Sequence, residues 1–252
     1  MKKKYTGYTR RAARWLLSGT LLAAMLVGCQ NETEILPNPG PEYYPLEVGT
    51  YRIYEVADTS WNNNVPKASR FQFREQVAAE LSPDATGRPV YQVVRSRRAT
   101  ATDAWAVDSI LTVTVAPQYI AEQRNNRGSV ELVFPVAEGK AWNTNAFYSP
   151  DTSRTVNREP NRFYTQVDQP FSITRAGKTY AYESTITTLN DVKFDVNIFY
   201  YTVKRTTFAK NVGPVYRVRR RLIYCGSGNC TPNPAFIYQG QSRSEVLIES
   251  GR

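Results

Sequence analysis

Three arginines at alternate positions, Arg217, Arg219 and Arg221, are the residues of this 252-residue chain best arranged for binding chemistry. In a strand, alternate side chains share one face about 7 Å apart, so residues 215–224 would present a line of three guanidiniums. Their planar forks suit bidentate contacts to phosphate, sulfate or uronic carboxylate, which makes an acidic glycan or lipopolysaccharide the matching partner. The same line would also serve as a solvated sheet face, paired across strands with acids such as Asp191 or Asp195. Arg95, Arg97 and Arg98 admit the same two readings.

Catalytic chemistry has less to work with. The chain has no His, which removes the Ser-His-Asp triad, the Cys-His dyad and every His-ligated zinc site. Its 22 acidic residues offer many carboxylate pairs for glycoside chemistry, but none stands out by spacing. No Gly-rich phosphate loop, nucleophile elbow or calcium loop is present. The expectation is a protein that is not an enzyme, carries no metal or other cofactor, and has a binding or structural role.

The elements that position these residues begin with the charge distribution. Of the formal net charge of +10, residues 1–28 hold +6, through Lys2, Lys3, Lys4, Arg10, Arg11 and Arg14 with no acid. The rest of the chain is close to balanced, so no nucleic-acid partner is expected. Residues 15–27 are mostly apolar and uncharged. That stretch is shorter than the roughly 20 residues a spanning helix needs, and it reads as the apolar region of a signal peptide.

The next residues, Leu26-Val27-Gly28-Cys29, resemble the lipobox of bacterial lipoproteins. The resemblance implies cleavage after residue 28, a diacylglyceryl group on the Cys29 thiol and an acyl chain on the new amino group. More than one chain is what stable membrane anchoring requires. The alternative is an ordinary signal peptide followed by a chance Cys. Residues 29–42 then form the lipidated Cys and a disordered tether, polar and interrupted by Pro37, Pro39 and Pro41, with a reach of at most about 45 Å. Gln30 stands where that family carries Asp for inner-membrane retention, so the resemblance implies the outer membrane of the cell envelope, with either face open. Glu32 and Glu34 are similar to a diluted surface-export signal of Bacteroidota lipoproteins. With Cys29 lipidated, Cys225 and Cys230 remain, enclosing Gly226-Ser227-Gly228-Asn229. In an exported chain this pair reads as a local disulfide, with a redox pair or a metal clip as the rival readings.

From residue 43 onward the dominant period is two. Phe71, Phe73, Val77, Ala79 and Leu81 alternate, as do Trp105, Val107, Leu111, Val113 and Val115. Further strands are read at 90–98, 118–124, 130–135, 163–167, 171–175, 178–188, 194–208, 215–224 and 245–249. Turn residues punctuate them at Ser82-Pro83-Asp84, Asn125-Asn126-Arg127-Gly128, Ala176-Gly177 and Asn190-Asp191. The fold class expected is all-β, an antiparallel meander forming a curved sheet, half-barrel or barrel, with residues 43–252 as one β-rich domain. Tyr44-Pro45-Leu46-Glu47-Val48-Gly49 and Phe134-Pro135-Val136-Ala137-Glu138-Gly139 share an aromatic-Pro-x-x-x-Gly phrase 90 residues apart, so the domain admits two similar halves. These phrases, with Val212-Gly213-Pro214-Val215-Tyr216, also resemble Bacteroidota lipoproteins of similar length, a resemblance that implies no activity. Gly49-Thr50-Tyr51 and Gly139-Lys140-Ala141-Trp142 depart from the lipocalin Gly-x-Trp signature, the first by Tyr for Trp and the second by one residue too many. By architecture alone, a curved sheet sheltering an apolar ligand is the alternative function, and a carbohydrate-active enzyme a third. The partners expected are the membrane, through the lipid anchor, and an envelope protein, acidic glycan or lipopolysaccharide. Cys29→Ser should abolish incorporation of labelled palmitate and move the chain from the membrane pellet to the soluble fraction; membrane retention without the thiol would argue against lipidation.

Overall fold

Twelve strands carry the chain, built from the alternating β-branched and aromatic runs that fit a pleated, half-buried surface. They are β1 (Tyr51–Asn62), β2 (Val65–Leu81), β3 (Val90–Arg98), β4 (Ala106–Ala116), β5 (Tyr119–Arg124), β6 (Arg127–Val133), β7 (Ala141–Trp142), β8 (Arg162–Arg175), β9 (Lys178–Asn190), β10 (Tyr200–Ala209), β11 (Gly213–Ile223) and β12 (Gln239–Gly251). The computed structural model describes residues 40–147, 161–190, 196–224, 231 and 233–252. The signal segment, Cys29, the tether up to residue 39, Asp191, Asp195, Cys225 and Cys230 lie outside the described residues.

All twelve strands form one antiparallel sheet in the order β6-β5-β4-β3-β2-β1-β12-β11-β10-β9-β8-β7. Strands adjacent in sequence pair as a meander within each of two arms, β1–β6 and β7–β12. The arms join where β1 pairs with β12. Two-residue turns set the register at Asn63-Asn64, Asn125-Asn126 and Ala176-Gly177. Each puts both central residues at positive φ, the mirror-image turn that matches strand twist.

The sheet curls into a nearly closed barrel, bringing edge strands β6 and β7 face to face. Val130 N–H donates to the Thr144 carbonyl at 2.8 Å, and Trp142 Nε1–H donates to the Val130 carbonyl at 2.9 Å. The buried Tyr164 hydroxyl, at the start of β8, donates to the Val133 carbonyl and accepts from the Val133 N–H, both at 2.8 Å. Side chains thus satisfy edge groups that a continuous ladder would otherwise pair.

The inside of the barrel is layered. Near the chain's first turn, Val77, Val93, Leu111, Leu132, Ile186 and Phe208 pack with Tyr43 and Tyr44 in the main apolar core. Those two tyrosines come from a 3-10 turn (Pro41–Tyr43) and the residue after it. Gly40, Pro41 and Glu42, read from the sequence as the end of the tether, therefore belong to the body; the Glu42 carbonyl accepts the Asn211 N–H at 2.8 Å. Arg52 ties this region together, donating to the carbonyls of Pro45 at 2.6 Å and Val212 at 2.7 Å. Gly213 is required beside it: φ is +97°, and a Cβ there would stand 2.9 Å from the guanidinium.

Two elements differ from their expectation. No alternating run marked β1, because Arg52, Ile53 and Tyr54 are all buried in succession where a bulge shifts the pairing with β12. The segments 163–167 and 171–175, read as two strands, are one irregular strand, β8, with Gln166 and Asp168 at positive φ and register shifts between them. Both aromatic-Pro-x-x-x-Gly phrases lead into the first strand of an arm, β1 and β7, with Gly49 and Gly139 at positive φ. Tyr164→Phe should cost about 1–3 kcal/mol in urea unfolding, because it leaves the Val133 N–H and carbonyl without a partner, and should speed hydrogen exchange at the Val133 amide.

Candidate anion-binding site

Alternation carries charged side chains inward as well as apolar ones. On β2 the buried face runs Phe71, Phe73, Glu75, Val77. Glu75 is the register partner of Arg95 on β3, and Arg217 on β11 is the register partner of Glu245 on β12. The curl of the sheet brings the two pairs together. Arg217 donates to both carboxylate oxygens of Glu75 at 3.0 and 2.9 Å and to Glu245 at 3.0 Å. Arg95 donates to Glu75 at 3.1 and 2.8 Å and to Glu245 at 2.9 Å. The guanidiniums also lie over aromatic rings, Arg95 over Phe73 at 4.2 Å and Arg217 over Tyr54 at 4.8 Å. All four charged residues are buried.

Burial disfavours charge on each member, and the partners outweigh it. Glu75 is held below the ordinary carboxylate range because Arg217 and Arg95 overcome its desolvation, and Glu245 is lowered in the same way by Arg95 and Arg217. Arg217 is raised, its desolvation overcome chiefly by Glu75. Two cations and two anions make a neutral, fully charged layer.

Beside this layer opens a cavity of about 780 Å³, lined from β5, β6, the segment after β7, β8, β10 and β11. Its cations are Arg124, Arg127, Arg162, Lys204 and Arg219, and its acids are Glu122 and Glu131. Glu122 and Arg124 share the inward face of β5, and the Asn125-Asn126 turn places Arg127 opposite Arg124. On β6, Ser129 donates to Glu131 at 2.7 Å. Arg162, at the start of β8, faces the other Glu131 oxygen at 3.5 Å. Tyr44 donates to Glu122 at 2.5 Å, linking the cavity to the apolar core.

The cations on one side of the cavity have no carboxylate in direct contact among the described residues. Among the described residues, Arg124, Arg127 and Arg219 form no ion pair within 4.0 Å, unlike Arg162, which has Glu131. Arg124 is half-buried, and its burial together with the repulsion of Arg95 pulls it below the ordinary arginine range. The two carboxyls are driven apart: burial and the charge of Glu131 raise Glu122, whereas Arg162 and the Ser129 hydroxyl overcome burial to lower Glu131. A partly desolvated guanidinium with no carboxylate in direct contact, beside two others, is the arrangement that takes a phosphate or carboxylate by charge-assisted hydrogen bonds.

The arginine line of β11 is therefore divided. Arg217 is in the buried quartet, Arg219 lines the cavity mouth, and Arg221 is exposed beyond it. Of the second set, Arg95 is in the quartet and Arg97 lies over Phe71 at 3.9 Å. Arg98 lies over Trp105 at 4.2 Å, where it donates to Gln72. The sequence reading missed Glu122, Arg124, Arg127, Glu131, Arg162 and Lys204. The only local signal was the alternation of Glu122 with Arg124, and it acquires meaning only when β5 and β11 face one cavity. No group of three or more His, Cys, Asp or Glu side chains that could hold a metal ion occurs among the described residues. Comparison with known proteins gives no match to a family model, a curated protein or a solved structure.

The quartet makes stability depend on acid. Glu75 and Glu245 titrate below the ordinary glutamate value of 4.5 when folded, so the unfolded chain binds more protons as the pH falls. Their contribution is complete above about pH 4.5 and is lost progressively below it. Urea unfolding should show a flat neutral plateau and this acid loss. Glu75→Gln should lower the plateau by about 3–5 kcal/mol, since it leaves two buried guanidiniums with one carboxylate, and should shrink the acid slope.

Proposed function

We propose that this chain is a lipid-anchored protein of the bacterial outer membrane that binds a small anionic solute in the open end of its barrel. Support for the anchor comes from the basic start, the apolar run of residues 15–27 and the lipobox-like Leu26-Val27-Gly28-Cys29. Support for the binding role comes from one observation above the others: Arg124, half-buried and crowded by like charge, faces a cavity of about 780 Å³ with no carboxylate partner among the described residues. That volume falls within the roughly 300–1,000 Å³ of small-molecule sites.

The lining favours an anion over the apolar ligand of a carrier, because Val218 is the only aliphatic side chain of any size on it among the described residues. It also favours binding over glycoside chemistry. Glu122 and Glu131 belong to neighbouring strands of one wall, whereas a glycosidase needs its two carboxylates on either side of the scissile bond. An acidic envelope glycan or lipopolysaccharide remains the natural source of such an anion.

Calorimetric titration of the full chain in detergent with inorganic phosphate tests this reading. Binding should weaken with salt. Arg124→Gln should cost about 1.5–3 kcal/mol of affinity, roughly tenfold to a hundredfold, and Arg221→Gln should cost nothing measurable. The unliganded Arg124→Gln protein should unfold no more easily than wild type, because burial and Arg95 together outweigh the attraction of Glu122 and Glu75 for the Arg124 charge. No heat of binding, or equal binding by the Arg124 variant, would overturn the assignment.

A further inference from the structure

An anion site built for phosphate alone has no use for carboxylates, yet Glu122 and Glu131 lie in the wall of this one. Each repels an anion when charged: burial and Glu131 raise Glu122, whereas Arg162 and the Ser129 hydroxyl overcome burial to lower Glu131. Such groups are retained to advantage when the ligand brings hydrogen-bond donors to them. Glu131 has capacity for this. A carboxylate offers about four acceptor positions, and Glu131 uses one for Ser129 at 2.7 Å while Arg162 stands at a longer 3.5 Å. Glu122 is engaged by Tyr44 through Oε1 only.

Ligand donors of this kind are hydroxyls or an ammonium. The cavity carries five cationic side chains against two acids, a field that repels an ammonium and leaves neutral hydroxyls as the donors that fit. Arg124 and Arg127 flank the β5–β6 turn, with Arg219 on β11, and make the anion-holding side. Ser129, Glu131, Thr144 and Asn145 add hydroxyl, carboxylate and amide groups to the lining, with Arg162 beside Glu131. No aromatic ring lines the cavity among the described residues, so a sugar would be held by hydrogen bonds rather than stacking.

Resting on the anion-binding reading above, we infer that the ligand is a hydroxyl-rich anion, a sugar acid or sugar phosphate, with its charged group on Arg124 and Arg219 and its hydroxyls on Glu131 and Ser129. The volume leaves room for this: it exceeds what a lone phosphate fills and lies in the upper part of the small-molecule range of about 300–1,000 Å³.

The test is calorimetry on the full chain in detergent with digalacturonate, galactose 1-phosphate, inorganic phosphate and neutral galactobiose. One of the two acidic sugars should bind at least about tenfold more tightly than inorganic phosphate and than galactobiose, and which one does so identifies the anionic group as carboxylate or phosphate. Ser129→Ala and Glu131→Gln should each erase most of that advantage while leaving inorganic phosphate binding unchanged or tighter; Ser129→Ala guards against a loss caused by disturbing Arg162. Inorganic phosphate binding as tightly as both acidic sugars would overturn the saccharide assignment and leave the anion site standing. Binding of none of the probes, or of galactobiose as tightly as the acidic sugars, would overturn the anion site itself.

Discussion

Four opposite charges held away from water in the middle of the barrel set the terms for the rest of the structure. Glu75, Arg95, Arg217 and Glu245 come from β2, β3, β11 and β12, strands that flank the junction of the two arms at β1 and β12. Taking any one of them from water alone would cost several kcal/mol, so each is tolerable only where the other three stand. The curl of the sheet is therefore coupled to electrostatic neutrality. A flatter sheet would separate Arg217 from Glu75 and leave both desolvated. Arginine suits the role because its planar fork reaches two carboxylates at once, as both guanidiniums do here.

Neutrality in that layer explains the imbalance beside it. Glu75 is held by both Arg95 and Arg217, and its attraction for Arg124 is smaller than the repulsion Arg95 exerts there. Arg124 thus feels the near side of the quartet mainly as the repulsion of Arg95. Natural proteins keep such locally unfavourable groups where function needs them and offset the cost elsewhere. The strand that carries Arg124 is tied to the apolar core through the hydrogen bond from Tyr44 to Glu122.

Closure of the barrel is achieved differently from its interior. The arms end in β6 and the two-residue β7, and among the described residues the seam between them relies on Trp142, Tyr164 and a single backbone bond rather than a ladder. The Trp142 and Tyr164 rings also pack on each other, with centroids 4.7 Å apart. The cavity is lined from both sides of this seam, by Ser129 and Glu131 on β6 and by Thr144 and Arg162 beyond β7. The same side chains that cover two exposed strand edges therefore bring the two sides of the cavity wall together.

Local chemistry was legible along the chain. Period-two runs, the Asn-Asn and Ala-Gly turns and the absence of helical spacing determined an antiparallel all-β meander, because strand faces and tight turns depend on residues within a few positions of one another. The division of β11 into two faces was legible for the same reason, but which of them turns inward was not. The fate of the charges on those faces was not. Arg217 and Arg219 are two positions apart on one face and look equivalent in sequence, yet one is neutralised by Glu75, 142 residues away, and the other lines an open cavity. Likewise Arg124 and Glu131 acquired a role only when β5 and β6 came round to face β10 and β11 across the barrel. The sequence by itself determined the strand class, the turns and the segment that resembles a lipobox. Only the tertiary structure decided which arginines are spent on buried carboxylates and which line the open cavity, because charge compensation is settled by distance in space and the closing of the sheet sets those distances.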